Sequence, residues 1–379
     1  MRRDFANIAR GIRRRLRGSG IVEGASGGGY DNECLLLYLV EPFRESDRRY
    51  DHQNRWQVRE LAEIVSGFGY NVDVIHFNDR KVRLRKRYDM VIDLHPGLND
   101  AYYRNMAVDC TRVGYITGTN PSVANRAEQR RIQGVWDRRG VRLRERRQAK
   151  PFAREDLEAL DAMFLIGNRN TLVSYQEFHL KNVFLLNNTG YDFLRNEDLS
   201  AKSPRNFLFL GGYGQVHKGL DLLLEVFSKN RHWNLFVCSA YHLEKDFCKA
   251  YEKELFRTGN IFPLGLMDIC SEDFRKICRE CSYCVLPSCA EGMSGSVLTC
   301  MSAGLVPIVS RECGMEDSEA HHFLDCSIGC IEATLGSFAE RGRDWIAEES
   351  RRVMDLVRAK YSMENYAETI RGAMKELLT

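Results

Sequence analysis

The sequence predicts an α/β protein built from two Rossmann-like domains that face each other across a cleft. Short apolar runs alternate with helical periodicity along most of the 379 residues, which is typical of parallel α/β sheets. The alternation occurs in two series that meet near residue 200. A chain of this length also exceeds what one ordinary core supports, and this favours two to three domains.

The first series predicts an N-terminal domain over residues 30–200. Its opening run, residues 34–40, is almost wholly apolar, as in a parallel strand covered on both faces. Helical periodicity follows over residues 53–68, and a long basic helix is predicted over residues 122–149. The further predicted strands are residues 71–77, 88–94, 113–117, 162–167 and 183–186.

The second series predicts a C-terminal domain over residues 201–360. Its strands are predicted at residues 206–210, 233–238, 260–263, 282–286 and 305–310, and its helices at residues 220–228, 243–256, 271–280 and 295–303. Ligands of such sheets bind beyond the carboxyl ends of the strands. Two domains that face each other would therefore share one ligand cleft.

Composition excludes several classes of protein. An apolar content of 44% and a charged content of 28% are typical of a soluble globular chain. A net charge of +3 is too close to neutral to favour a nucleic-acid partner, and no apolar run approaches the roughly 20 residues of a membrane-spanning helix. Thirteen cysteines without a preceding secretory signal favour a reducing, cytoplasmic location.

Residues 1–29 form a separate unit in the sequence. Phe5, Ile8, Ile12 and Leu16 share one face of a helix that is otherwise rich in arginine, and glycines follow as a flexible linker. A basic amphipathic helix of this kind predicts peripheral contact of residues 1–17 with an anionic membrane. A solvated tail and a helix that docks on its own protein are the alternatives.

A glycine turn follows the first strand of the second series. Gly212 and Gly214 lie between that strand and a helix that opens after Lys218. Glycines let the backbone approach a ligand closely, and free N–H groups at a helix start favour an anion. Lys218 adds a positive charge suited to phosphate. The pattern predicts a phosphate site, although a tight turn with a surface lysine uses the same residues.

A second turn begins after a later strand of the same series. Glu291 and Gly292 are followed by Ser294, Gly295 and Ser296 at the start of a helix, where backbone N–H groups lack helical partners. These amides suit a diphosphate, and the Glu291 carboxylate suits the hydroxyl groups of a sugar. The turn is therefore a candidate nucleotide-sugar site, and a capped loop without a ligand is the alternative.

Together these motifs resemble the retaining, group 1 glycosyltransferases of the GT-B fold. The sequence NIFPLG at residues 260–265, PSCAEG at 287–292 and AGLVP at 303–307 follow the glycine turn in the order that the family shows. The resemblance covers residues 200–379. Before residue 200 it lies mainly in the predicted order of strands and helices. It implies that residues 361–379 form a helix that crosses back to the N-terminal domain.

The resemblance also implies roles for individual residues. Lys218 would neutralise the donor diphosphate as its bond to the sugar breaks, and Glu291 would hold the donor sugar. The other implied donor contacts are Gly212, Gly214, Gly265, Leu266, Gly292, Ser294, Gly295, Ser296 and Thr299. The implied reaction moves a sugar, of the hexosyl type, from a nucleotide sugar to a glycan or lipid-linked acceptor, without a metal or another cofactor.

Three positions depart from the family pattern. Thr299 stands where the family has a second glutamate for the ribose, and Tyr213 stands where it often has an arginine. Residues 41–44 replace the Gly-Gly turn of the N-terminal domain, and their Arg44 is a candidate for the missing positive charge. These departures leave an alternative function open, that of a non-catalytic glycosyltransferase-like protein which binds nucleotide or glycan as a scaffold.

The N-terminal series offers polar candidates at the expected cleft. His95 ends the third strand and is a candidate catalytic residue that contacts the donor sugar or the acceptor. A buried histidine bonded to the backbone is the alternative. Weaker candidates for the acceptor are His52, Asn54, Thr119, Asn120, Asn125 and Glu128.

Two further patterns have an ordinary and a more specific interpretation. Cys278, Cys281 and Cys284 have the spacing of zinc ligands, but they fall on or beside a predicted buried strand, which favours structural thiols. Residues 126–154 are rich in arginine and form either a solvated surface or a cationic face towards a membrane or a phosphorylated lipid. Together these two patterns add a further hypothesis, that the chain is a zinc-binding or nucleic-acid-binding protein.

Overall fold

The computed structural model describes residues 20–45, 52–196 and 198–379, which form two α/β halves. The predicted basic helix and its membrane contact, residues 1–17, lie outside the described residues. Among the described residues, no helix is both long and apolar enough to cross a bilayer.

The first half is built on a seven-stranded sheet with the strand order β1-β3-β2-β4-β5-β6-β7. All neighbouring strands are parallel except the edge strand β1, which runs antiparallel to β3. The strands are Ile21–Ser26 (β1), Asn32–Tyr38 (β2), Tyr70–His76 (β3), Tyr88–Asp93 (β4), Met106–Ile116 (β5), Ala162–Ile166 (β6) and Asn182–Leu186 (β7).

Strand β1 corrects the prediction of a flexible linker over the glycine-rich residues. Ile21 and Val22 pair with Ile75 and Val74, so that the run between Gly20 and Gly27 extends the sheet. The Gly24 N–H group donates to the Asp73 carboxylate at 2.8 Å. Glycine content alone does not reveal this pairing, because the partner strand lies about 50 residues away in the sequence.

Six helices accompany the first sheet in the described residues. They are Glu41–Arg44 (α1), Gln53–Gly67 (α2), Asp100–Tyr103 (α3), Pro121–Arg139 (α4), Arg154–Glu158 (α5) and Arg169–Val173 (α6). Helix α4 is shorter than the predicted helix, because Gly140 adopts a left-handed conformation with φ 64° and ends it. Residues 140–153 continue without regular structure, and we call them the basic arm.

The second half is built on a six-stranded parallel sheet with the strand order β10-β9-β8-β11-β12-β13. Its strands are Ser203–Leu210 (β8), Asn234–Cys238 (β9), Ile261–Pro263 (β10), Cys281–Leu286 (β11), Val306–Val309 (β12) and His321–His322 (β13). The helices before the C-terminal segment are Leu220–Lys229 (α7), Lys245–Ala250 (α8), Glu252–Arg257 (α9), Glu272–Glu280 (α10), Gly295–Ser302 (α11), Ile328–Ala339 (α12) and Arg343–Lys360 (α13).

The last helix, Met363–Leu378 (α14), returns to the first half, as predicted. It packs on α2 and β7. Trp56 of α2 meets Tyr366 edge-on with ring centroids 5.3 Å apart, and the hydroxyl groups of Tyr366 and Tyr115 lie 2.6 Å apart in the core. The prediction of two Rossmann-like domains with a returning C-terminal helix is confirmed.

Arginines of α4 and the basic arm join the two halves. Arg138 Nη2 lies 2.7 Å from the buried Asp221 carboxylate, Arg139 Nη1 lies 2.8 Å from Glu254, and Arg146 forms a short ion pair with Asp246. The two interpretations of residues 126–154, a solvated surface and a cationic face towards a membrane or phosphorylated lipid, do not apply to these side chains. Three of the arginines are instead directed at carboxylates of the second domain.

Candidate nucleotide-sugar site

Two loops at the carboxyl ends of neighbouring strands form the centre of the candidate site. Strands β8 and β11 are adjacent in the sheet, so that the turns after them meet. Lys218 Nζ, from the first turn, lies 2.6 Å from Glu291 Oε1, from the second. Their side chains are only 9% and 11% exposed, and the Ser288 hydroxyl donates to the same carboxylate oxygen at 2.9 Å. The two residues predicted to act together are therefore in direct contact.

The Glu291 carboxylate stays ionised although it is buried. Burial alone would raise its pKa, but the positive charges of Lys218 and Arg147 outweigh burial and hold the pKa at about 2. Because this lies below the ordinary value of 4.5, the carboxylate stabilises the folded state above about pH 4.5. That contribution is lost as the pH falls towards 2.

His217 joins the two turns and was missed by the sequence analysis. Its ring Nε2–H group donates to the Ala290 carbonyl oxygen at 2.6 Å, and its own carbonyl oxygen accepts from the Cys289 N–H group at 2.9 Å. Burial lowers the pKa of His217 although the Glu291 carboxylate opposes this shift, so that the imidazole is neutral near pH 7. The sequence indicates His217 only through its position next to Lys218, because a residue adjacent to a predicted site lysine is itself a candidate site residue.

A cavity of 270 Å³ lies between the two sheets, beside the Lys218–Glu291 pair. Its lining brings together His95, Thr119, Arg147, His217 and Glu291 from both domains. The His95 ring packs against Phe152 in a tilted arrangement with ring centroids 4.6 Å apart, and its Nε2 atom lies 3.1 Å from the Lys150 carbonyl oxygen. The structure thus places His95 at the cavity, and its contact with a substrate stays a prediction.

The glycine turn differs from its predicted form, because its amides already hold a carboxylate. The N–H groups of Gly214 and Gln215 donate to Glu244 Oε1 at 2.6 and 3.2 Å. Glu244 is 2% exposed, and burial raises its pKa although these hydrogen bonds oppose the shift. Gly214 therefore does not offer a free amide to a diphosphate. Gly212 has open space beside its Cα atom and stays a donor-contact prediction.

Replacing Glu244 by alanine should lower the free energy of unfolding by about 2–4 kcal/mol, because two buried N–H groups would lose their acceptor. Chemical denaturation measures this change. Glu252→Ala is the control, since that carboxylate is 55% exposed and pairs with an exposed arginine. An equal loss in both variants would contradict the buried role of Glu244.

The second turn leads into α11, whose first residues were predicted to bind phosphate. The Ser294 N–H group donates to the Cys313 carbonyl oxygen at 2.9 Å, so that this amide is already used. Gly295 and Ser296 lie in the first turn of α11, where N–H groups lack helical acceptors. The hydroxyl groups of Ser294 and Ser296 lie 3.1 Å apart. The predicted amide site is thus narrowed to Gly295 and Ser296.

Thr299, a predicted donor contact at the position of the ribose-binding glutamate, makes its hydrogen bonds within the protein. Its hydroxyl donates to the Gly295 carbonyl oxygen at 2.8 Å and accepts from Gln53 Nε2 at 3.3 Å. The same Gln53 nitrogen donates to the carbonyl oxygens of Gly295 and Thr189. Thr299 is only 3% exposed. Gln53 of the opposite domain covers it, although the two residues lie 246 positions apart in the sequence.

Gly265 and Leu266 lie in the turn after β10. Gly265 has φ 81°, with open space around the position of a Cβ atom. Leu264 and Leu266 are 45% and 59% exposed, which leaves an apolar surface at this end of the sheet. This surface is compatible with the predicted contact to a nucleobase, which stays a prediction.

Gly292 lies where the two domains come closest. A Cβ atom on Gly292 would lie 2.6 Å from the Ile166 carbonyl oxygen and 2.7 Å from Gly118 Cα, both in the first domain. The Thr171 hydroxyl donates to the Gly292 carbonyl oxygen at 3.0 Å. The absence of a side chain at Gly292 therefore permits this domain contact, whereas the prediction treated Gly292 as a donor contact.

Two of the acceptor candidates make hydrogen bonds within the protein. Asn120 is 1% exposed, and its side-chain oxygen caps α4 by accepting from the Ser122 N–H group at 2.8 Å. Asn125 exchanges two hydrogen bonds with the backbone of Ala149 at 2.8 and 3.0 Å and so fixes the basic arm. Both amides were predicted from their position after a strand, and that position does not distinguish a cap or a brace from a ligand contact.

The remaining N-terminal candidates lie at different distances from the cleft. His52 caps α2 by accepting from the Asn54 N–H group at 3.3 Å. His52 is exposed, and its neighbour Gln53 contacts Gly295 and Thr299 of the second domain, which places His52 near the cleft. Asn54 follows it in the first turn of α2, so that both stay acceptor predictions. Arg44 donates to the Gly20 carbonyl oxygen at the edge of the sheet, and its role as the missing charge stays a prediction.

The cysteine spacing has a structural explanation. Cys278, Cys281 and Cys284 are buried in the core of the second domain. Across residues 20–45, 52–196 and 198–379, no three His, Cys, Asp or Glu side chains form a group that could hold a metal ion.

Sequence comparison matches part of the second domain to a known family. Residues 204–328 match the family described as "Glycosyl transferases group 1". This range contains both turns of the candidate site, with Lys218 and Glu291. No curated protein matches the chain.

Solved structures resemble the chain over most of its length. Sucrose-phosphate synthase from Thermosynechococcus elongatus gives a TM-score of 0.65 at 11% identity, with 92% of this chain and 99% of that chain covered. HepE from Anabaena, in complex with UDP-glucose, gives 0.61 at 9% identity, with 91% and 99% covered. The chain therefore has the two-domain GT-B fold, and its residues 204–328 carry the sequence pattern of group 1 glycosyltransferases.

Proposed function

We propose that the protein transfers a sugar from a nucleoside diphosphate donor to a glycan or lipid-linked acceptor, with retention of the anomeric configuration. The observation that carries the proposal is the Lys218–Glu291 pair at the joined ends of β8 and β11. It places a cation and a carboxylate at the cleft, where a nucleotide sugar presents an anionic diphosphate beside neutral hydroxyl groups. The resemblance to retaining enzymes supports retention, and HepE, solved with UDP-glucose, supports a donor of this class.

In this mechanism, donor binding separates the buried pair. Lys218 exchanges the Glu291 carboxylate for the diphosphate, which gathers negative charge as the bond between the sugar and the phosphate oxygen breaks. Glu291 then accepts hydrogen bonds from the donor sugar. The N–H groups of Gly295 and Ser296 favour an anion at the start of α11. The acceptor hydroxyl forms the new glycosidic bond as its proton passes to the departing diphosphate oxygen, and nucleoside diphosphate is released.

The narrow cleft between the domains favours a form that opens before a donor binds. The cavity of 270 Å³ is smaller than the roughly 300–1,000 Å³ of sites for ligands of this size. Gln53 and Gly292 hold the two domains in contact beside it. We propose that the donor enters an open form and that the domains then close around it. No metal is required in this scheme, because Lys218 supplies the charge.

A panel of nucleotide sugars with UDP, GDP, ADP and dTDP as the nucleotide tests the proposal by release of nucleoside diphosphate. We expect release from one donor class, increased by a suitable acceptor and abolished by heat denaturation. Absence of release from every donor, with no nucleotide binding, would contradict the proposed function.

A second function is favoured by one observation. Thr299, at the position of the expected ribose-binding glutamate, is covered by Gln53, which favours a protein that binds nucleotide or glycan without turnover. Nucleotide binding without release of nucleoside diphosphate from any donor in the panel would support this scaffold function over catalysis.

A further inference from the structure

The position where related enzymes often carry an arginine is occupied here by Tyr213. Its hydroxyl accepts a hydrogen bond from Arg146 Nη1 at 3.1 Å. The guanidinium group of Arg146 also pairs with Asp246. The basic arm of the first domain therefore lies directly over the glycine turn of the second domain, at the position where the usual cation is absent.

The next residue of the arm, Arg147, passes over the glycine turn. A Cβ atom on Gly214 would lie 2.6 Å from Arg147 Cγ, so that glycine at this position makes room for the arginine. Arg147 then lines the cavity together with Glu291 and His217. Its positive charge lowers the pKa of Glu291, second only to Lys218 among the charges that do so. Because Arg147 and Glu291 line the same cavity, the arginine side chain lies close to the Lys218–Glu291 pair.

The backbone of Arg147 is fixed by a buried carboxylate. Glu128 of α4 is 1% exposed and accepts from the N–H groups of Arg146 and Arg147 at 2.9 and 3.0 Å. Gln148 donates to the same carboxylate at 2.8 Å. Among the described residues, the Arg147 guanidinium itself has no hydrogen bond or ion pair. A ligand-binding arginine requires a fixed backbone and a guanidinium group that is not already paired.

We propose that Arg147 binds the donor diphosphate and supplies, from the first domain, the second cation that Tyr213 does not provide. This inference rests on the proposed function and assigns one more residue to the same site. Because Lys218 and Arg147 belong to opposite domains, a diphosphate bound between them would join the domains. Donor binding would thus favour closure.

Equilibrium binding of nucleosides and their diphosphates tests this role. ADP, GDP, UDP and the corresponding nucleosides are titrated calorimetrically into wild-type protein, Arg147→Ala and Arg147→Lys. We expect Arg147→Ala to weaken diphosphate binding by roughly 10- to 100-fold, since a charge-assisted hydrogen bond contributes on that scale. Nucleoside affinity should stay within about twofold, and Arg147→Lys should retain part of the diphosphate affinity.

Arg142→Ala is the matched control, because it removes the same charge from an exposed position of the same arm. Equal diphosphate affinities for the Arg147→Ala and Arg142→Ala variants would overturn the proposal while leaving the proposed function intact. Equal losses for nucleoside and diphosphate would also overturn it, since the arm would then have only a structural role. If wild-type protein binds no nucleoside diphosphate, both the inference and the proposed function are wrong.

Discussion

Replacing Lys218 with methionine is expected to lower kcat for sugar transfer by about 100- to 1,000-fold, the range found when a preorganised charge-stabilising donor is removed from an active site. Methionine keeps most of the apolar stem of the lysine, which packs against Gly211, but it removes the cation that faces the departing diphosphate. Rates of nucleoside diphosphate release under saturating donor measure this effect. Lys229→Met, at an exposed helix end, should leave the rate unchanged.

Loss of activity in Lys218→Met must be separated from loss of folding. The variant leaves the buried Glu291 carboxylate without its closest cation, and breaking such a pair costs roughly 3–5 kcal/mol. The double variant Lys218→Met/Glu291→Gln removes both charges, and the glutamine oxygen can still accept from Ser288. We expect the double variant to regain stability in chemical denaturation but not activity. Recovery of turnover together with stability would show that Lys218 acts only on folding.

Gly292→Ala is expected to lower turnover by about 100-fold without removing any functional group. Its methyl group would meet the backbone of Ile166 and Gly118 at 2.6 and 2.7 Å, and such contacts force the two domains apart. A shift of about 1 Å between reacting groups is enough for a loss of this size. Small-angle scattering should show a more open particle than the wild type, and steady-state kinetics should show the loss in kcat.

The control for Gly292→Ala is Gly329→Ala, because a Cβ atom at that helical position meets no neighbouring atom. This variant should keep wild-type turnover and dimensions. Wild-type kinetics for Gly292→Ala would contradict the claim that the close approach of Gly292 to the first domain sets the active geometry.

The fold could be predicted because its signals are local. Apolar runs, helical periodicity and the glycine turns each concern fewer than about 20 residues, and the order of such elements restricts the topology strongly. The pairing of Lys218 with Glu291 was predictable for the same reason. Each residue follows a parallel strand, and the two strands prove to be neighbours, so that their carboxyl ends meet at one edge of the sheet.

The finer structure of the site could not be predicted, because it depends on contacts between distant segments. Glu244 takes the amides of Gly214 and Gln215 from about 30 residues away, and Gln53 covers Thr299 from the other domain. A sequence pattern shows that an amide or hydroxyl is available, but not which side chain reaches it first. Arg147 is the opposite case. It is a candidate site residue in the structure, although its neighbours in the sequence indicate only a basic surface.

The most direct test of the central claim is a structure of the protein with a bound nucleoside diphosphate. We expect Lys218 Nζ to move from Glu291 to within roughly 3 Å of a phosphate oxygen, with the Glu291 carboxylate left facing the adjoining space for the sugar. A nucleotide bound elsewhere, with the 2.6 Å contact between Lys218 and Glu291 intact, would contradict it.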